Sequence, residues 1–140
     1  MERYALELVP RLARLAPGEV ILFTRPDAPP PLAGLDVERH EAPLLARPPL
    51  DQAWLPLAAM RARVDLLHGL ASPTPVLWRG PSALTVHDAT PWLHPDALDP
   101  ATRWIARTLY PQALARAGVV FTVSEAARED LVRHAGARAD

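Results

Sequence analysis

Short apolar runs that close on polar residues alternate along the chain with segments of helical character, and this alternation admits few folds. Glu19-Val20-Ile21-Leu22-Phe23-Thr24, Val64-Asp65-Leu66-Leu67-His68, Ser82 to Asp88 and Gly118 to Val123 read as buried strands, with a shorter candidate over Val37 to His40. Residues 2–16 read as an amphipathic helix with Tyr4, Leu8, Leu12 and Leu15 inward and Glu7, Arg11 and Arg14 outward, stopped by Pro17-Gly18. Arg25 to Pro31 is a stiff loop, because each Pro restricts its own φ and the residue before it. Residues 51–63 suggest a helix around Trp54, Leu57 and Met60, which Pro56 either distorts or opens. Residues 100–116 follow a cap at Asp99 and a first-turn Pro100, and helical spacing puts Trp104 in the core. Residues 125–135 form the last helix, capped by Ser124, with Glu125 and Glu129 toward its positive end.

Strands alternating with helices predict an α/β fold, a parallel sheet with helices on both faces. Right-handed crossovers then place every strand's carboxyl end on one edge, the edge where such sheets bind ligands. Three of those ends carry His68, His87-Asp88 and Ser124. The His87 imidazole can donate to a sugar hydroxyl or a phosphate oxygen, and Asp88 can accept a hydroxyl proton; the alternative is a His that ties a loop to backbone. His68 carries the same two readings. Trp92, in the loop after Asp88, can stack on a sugar ring or pack within the loop. Ser124 with the following amides is an anion or hydroxyl site or an ordinary cap.

Several functions are excluded by what the chain lacks. A net charge of -1 offers no basic face for nucleic acid, and none is expected as a partner. No cysteine is present, so disulfides, thiol nucleophiles and zinc ribbons fall away. Thr122-Val123-Ser124 lacks the glycines of a nucleophile elbow, and neither a P-loop nor a G-x-G-x-x-G occurs. The spacing of His68, His87, Asp88 and His94 matches no familiar zinc pattern, so neither a metal nor a cofactor is implied. All 15 basic residues are Arg, Lys and Asn are missing and there are 17 Pro, a usage compatible with a thermophile. The first residues are neither a secretion signal nor a membrane span, which fits a cytoplasmic setting.

The stretch Leu84-Thr85-Val86-His87-Asp88-Ala89-Thr90-Pro91-Trp92-Leu93-His94-Pro95 resembles the "TVHD…P…P" segment of family-four retaining glycosyltransferases, above all their mannosyltransferase-like group. Arg3 to Leu8 is similar to the family's "GRY…EL" helix, and Ala117 to Val132 to its "TVSE..R.DL" segment. Val64 to His68 matches the strand before the HD loop, and the four segments follow in the family's order. The resemblance implies the Rossmann-like, amino-terminal half of a GT-B enzyme, the half that receives the acceptor, with residues 1–140 as one domain. It puts His87 near the donor sugar with Asp88 beside it. It makes His68, Thr90, Trp92, Ser124, Glu125 and Arg128 candidate substrate contacts. The implied reaction moves a mannose-like sugar from a nucleotide-sugar donor to a glycan or lipid acceptor, in the cytoplasm or at the inner membrane surface.

Members of the family begin with a strand and a glycine-rich loop where this chain has Met1-Glu2, and that strand is central, between those at 20–24 and 64–68. The expectation is that those two strands re-pair, or that the chain forms a homo-oligomer through the exposed sheet. A donor-binding carboxyl-terminal domain is not found before Asp140, so a further domain or partner chain is expected to supply it, with little transfer by this chain alone. Two other classes remain open on the residues: a non-catalytic binding or assembly module of the same fold, and a metal-dependent hydrolase built on the histidines.

Overall fold

A computed structural model describes residues 2–25, 32, 34–43, 48–70 and 72–138, with the backbone alone for residue 2 and residues 48–51. Met1 and most of the proline-rich loop, residues 26–31, lie outside the described residues. The chain forms two compact units, residues 1–64 and 65–140. Both are α/β with parallel strands and helices, as the alternation predicts.

In the first unit, helix α1 (Glu2–Leu15) precedes strand β1 (Ile21–Thr24), strand β2 (Glu38–Glu41) and helix α2 (Pro48–Arg61). β1 and β2 pair in parallel, with Phe23 level with His40. Phe23 stacks on the His40 ring at 5.3 Å and meets Trp54 of α2 edge-on at 6.2 Å, so aromatic contacts hold α2 to β1. Two sequence assignments change here. In α1 the buried residue is Val9, while Leu15 is 81% exposed. In α2 it is Pro56, Ala58 and Ala59 that turn inward, and Leu57 and Met60 lie outside. Pro56 sits mid-helix and not in the first turn. Small side chains let a helix approach its neighbour closely, and hydrophobicity alone does not reveal which face does so.

The second unit holds strands β3 (Leu67–Gly69), β4 (Ser82–Val86) and β5 (Val119–Thr122) as a parallel sheet in that order. Among the described residues β1 pairs with β2 inside the first unit, and β3 with β4 inside the second. β3 also starts later than its apolar run. Arg63 takes a left-handed φ of 54°, and the Val64 amide returns to the Ala59 carbonyl at 3.0 Å, so the end of α2 consumes residues 63–64.

Helix α3 (Thr90–Leu93) and a 3-10 turn (Pro95–Ala97) follow β4, then helix α4 (Pro100–Arg116). The Asp99 carboxylate caps α4 by accepting from the amides of Ala101 and Thr102, at 3.0 and 3.1 Å. Ala106, Leu109, Ala113 and Leu114 are its buried face. Trp104 is 51% exposed, which corrects its assignment to the core: four small or medium apolar positions already fill the stripe. Helix α5 (Glu125–Asp130) continues into a π-helical turn (Leu131–Ala135), ended by Gly136 in the left-handed region at φ 70°. Leu84, Val86, Ala89, Ala113, Leu114, Ala117 and Leu131 form the core, in which the Leu84 and Val86 face of β4 packs with residues of α4 and the π turn. The loops that leave β4 and β5 are thereby held on a rigid base.

Candidate functional site

The last rung of the sheet joins Val86 to Thr122. One and two residues further come His87-Asp88 on one chain segment and Val123-Ser124 on its neighbour, leaving strands that lie roughly 4.8 Å apart. The register therefore places His87-Asp88 and Ser124 on the carboxyl edge of one sheet. His87 is half-buried, and its Nε2 donates to the carbonyl of Leu70, just past β3, at 3.0 Å. A carbonyl can only accept, so Nε2 carries a proton. The loop-anchor role weighed for this residue is thus present, and it aims the ring while tying the β4 exit to the β3 exit.

Gly69 makes that tie possible. A Cβ at residue 69 would lie 2.6 Å from the Ser72 carbonyl oxygen and 3.2 Å from Leu84 Cδ1. Backbone cannot give way as a flexible side chain does, so Gly69→Ala is expected to cost about 1–3 kcal/mol and to displace the Leu70 carbonyl. Urea titration measures the cost, and the ring resonances of His87 report the displacement; a neutral substitution with unmoved resonances would contradict this account.

Asp88 is exposed, and its Oδ1 accepts from the Thr90 amide at 2.8 Å, fixing the turn into α3. Thr90 opens that helix, and its carbonyl accepts from the His94 amide at 2.8 Å. Trp92 packs toward the core and meets Tyr110 of α4 edge-on, with ring centroids 5.7 Å apart. The packing reading of Trp92 is therefore the one its ring contacts display. Burial and, after it, the Asp88 charge push the Tyr110 phenol above its ordinary range. Tyr110 lies one helical turn from the buried Ala106 and Ala113, a position that helical spacing alone reads as core.

His68 lies in the middle of β3, level with Ala83, and not at the strand's end. Its Nε2 shares a hydrogen bond of 2.9 Å with the buried Thr85 hydroxyl, and its ring leans on Phe121 at 5.3 Å. Burial lowers its pKa below 6.5. A group whose folded pKa is depressed contributes stability that is complete above its unfolded value and is lost as pH falls through the folded one. Stability is thus expected to drop on acidification below pH 6.5, and His68→Gln, which keeps a donor for Thr85, should flatten that part of the curve. Thermal melts of both proteins between neutral and mildly acidic pH measure it; identical slopes would remove His68 as the cause.

Ser124 caps α5, its Oγ accepting from the Ala127 amide at 3.2 Å. Arg128 donates from Nε to Glu125 Oε1 at 2.8 Å. This hydrogen bond and charge lower the Glu125 pKa and raise that of Arg128, two shifts of one cause. The pair is exposed, so it adds little stability. His94 stands exposed at the end of α3. Among the described residues no group of three or more His, Asp or Glu is placed to hold a metal ion. Nor is any described helix long and apolar enough to cross a membrane.

A parallel α/β sheet with His87, Asp88 and Ser124 on adjoining strand exits defines a Rossmann-like domain that presents polar groups at its ligand edge. The chain belongs to glycosyltransferase family 4, whose family model matches residues 1–140. Glycosyl transfer in general, from a sugar donor to an acceptor, is the chemistry that this membership brings. No curated protein and no solved structure gives a significant match.

Proposed function

We propose that residues 1–140 act as the acceptor-side, amino-terminal domain of a retaining, mannosyltransferase-like glycosyltransferase. The observation that carries this reading, beside family membership, is the β4–β5 register that brings His87-Asp88 and Ser124 to one edge. His87 stabilises the donor sugar or its leaving group, and Asp88 takes the proton of the acceptor hydroxyl. Thr90, Ser124, Glu125 and Arg128 line the acceptor. His68 and Trp92 support these groups from beneath, through Thr85 and Tyr110.

The donor is a nucleotide-sugar, held across a cleft by a donor-binding domain or partner chain, because the sequence offers no glycine-rich phosphate cradle of its own. The acceptor is a glycan or a lipid. A nucleotide-sugar donor puts the reaction in the cytoplasm, peripheral to the inner membrane if the acceptor is lipid. A homo-oligomer is supported by strand β5, an edge of its sheet with Val119 and Phe121 half-exposed.

Calorimetric titration of the chain with simple glycans and with UDP- and GDP-sugars tests the reading. The expected result is saturable glycan binding, weak nucleotide-sugar binding and loss of the glycan signal in Asp88→Ala. Tight nucleotide-sugar binding with no response to glycans, or glycan binding indifferent to Asp88, would overturn it.

A further inference from the structure

A polar cavity lies at the opposite end of β4 from His87. It has a volume of about 180 Å³ and opens between the 74–80 loop and the last turns of α4. Ser82 begins β4, so roughly 17 Å of strand separates the cavity from the His87 edge. Its walls include Thr74, Trp78, Arg79, Ser82, Gln112 and Arg116.

The loop that forms one wall is firmly built. Arg116 donates through both terminal nitrogens to the carbonyls of Val76 and Trp78, and Trp78 Nε1 donates to the Pro81 carbonyl at 3.0 Å. Gly80 is required there, since a Cβ would fall 2.4 Å from the buried Trp78 ring. The cavity is therefore shaped in advance.

Its charge is one-sided. Two guanidinium groups border it, no acidic residue lines it, and neither Arg79 nor Arg116 makes an ion pair among the described residues. Arg116 meets only carbonyl oxygens, which satisfy its donors without neutralising it. The carboxyl end of α4 contributes about half a negative charge, against two full positive ones. Thr74, Ser82 and Gln112 add three uncharged hydrogen-bonding side chains, the Gln112 amide also donating to the Thr108 carbonyl at 2.8 Å. The volume equals about six water molecules at their liquid share, room for a tetrahedral anion and part of its hydration.

We infer that this cavity binds a small oxyanion of the phosphate type, held by Arg79 and Arg116 over Ser82 and Gln112. Arg79, exposed and with no hydrogen bond among the described residues, is the docking cation, and Arg116 is the fixed one. The site is independent of glycosyl transfer at the His87 edge. It senses a free phosphate or the phosphate group of a small metabolite.

Gln52 and Gln112 are the two glutamines of a sequence with no Asn, so their side-chain amides give isolated NMR signals. Titrating the chain with inorganic phosphate should move the Gln112 amide saturably and leave that of Gln52 in place. Added NaCl should weaken the response. Arg79→Ala should reduce affinity about tenfold or more, since a charge-assisted contact is lost, and Arg107→Ala on the exposed side of α4 should change nothing. Replacing phosphate by glucose 6-phosphate tests the metabolite form, with a matching shift at Gln112 as its expected outcome. The inference is overturned if Gln112 stays still, if both glutamines move alike, or if Arg79→Ala binds phosphate as the parent does.

Discussion

Leu84→Ala is expected to remove about 3–5 kcal/mol of stability, the upper part of the range for leucine truncation in a core. Leu84 is 0% exposed and sits mid-strand, between Ala83, paired with Val119, and the buried Thr85. Its fellow core residues include Ala113, Ala117 and Leu131. Alanines have no longer side chain to swing into a hole, so the space left by the missing atoms stays largely open. A domain of this size is stable by roughly 5–15 kcal/mol, so such a loss moves the unfolding midpoint far. Urea denaturation followed by circular dichroism gives the value. Trp104→Ala, by contrast, removes a larger side chain that is half-exposed, and its effect should stay far below that of Leu84→Ala. Equal losses at both positions would mean that the core described above is misplaced.

His87→Ala is expected to lower kcat of the complete glycosyltransferase by about 10²–10³, the usual consequence of removing one preorganised group from developing charge. The complication is structural, because the same ring holds the Leu70 carbonyl at 3.0 Å. His87→Gln separates the two roles. The glutamine amide can donate to Leu70 as Nε2 does, yet it supplies no titratable ring. Stability recovered without rate is the expected result, and it identifies His87 with the chemistry. Full recovery of rate in His87→Gln would reduce the residue to an anchor and favour the non-catalytic binding module.

Much of the local structure was legible because its signals lie within a few residues of one another. Asp99 before Pro100 marked the start of α4, and Ser124 before a helical run marked that of α5; both caps form as read. Apolar runs of strand length marked β1, β4 and β5. Less was legible where two local signals compete. The run from Val64 to His68 is strand-like throughout, yet the ending of α2 takes its first residues and leaves His68 in the middle of β3. Helical spacing likewise offered Trp104 and Leu15 to the core, where smaller residues on the neighbouring stripe are buried instead.

The sequence by itself determined the α/β order, the helix starts and the polar residues closing the β4 and β5 runs, because periodicity and capping act over one or two turns of chain. The tertiary structure alone decided which of those residues meet. His87 finds Leu70 and His68 finds Thr85 across 17 residues, and Arg116 reaches Val76 across 40. Such partners are chosen by strand register and by which helix faces fit a shared core. Those choices are made by the packing of the whole sheet, and no short stretch of sequence contains them.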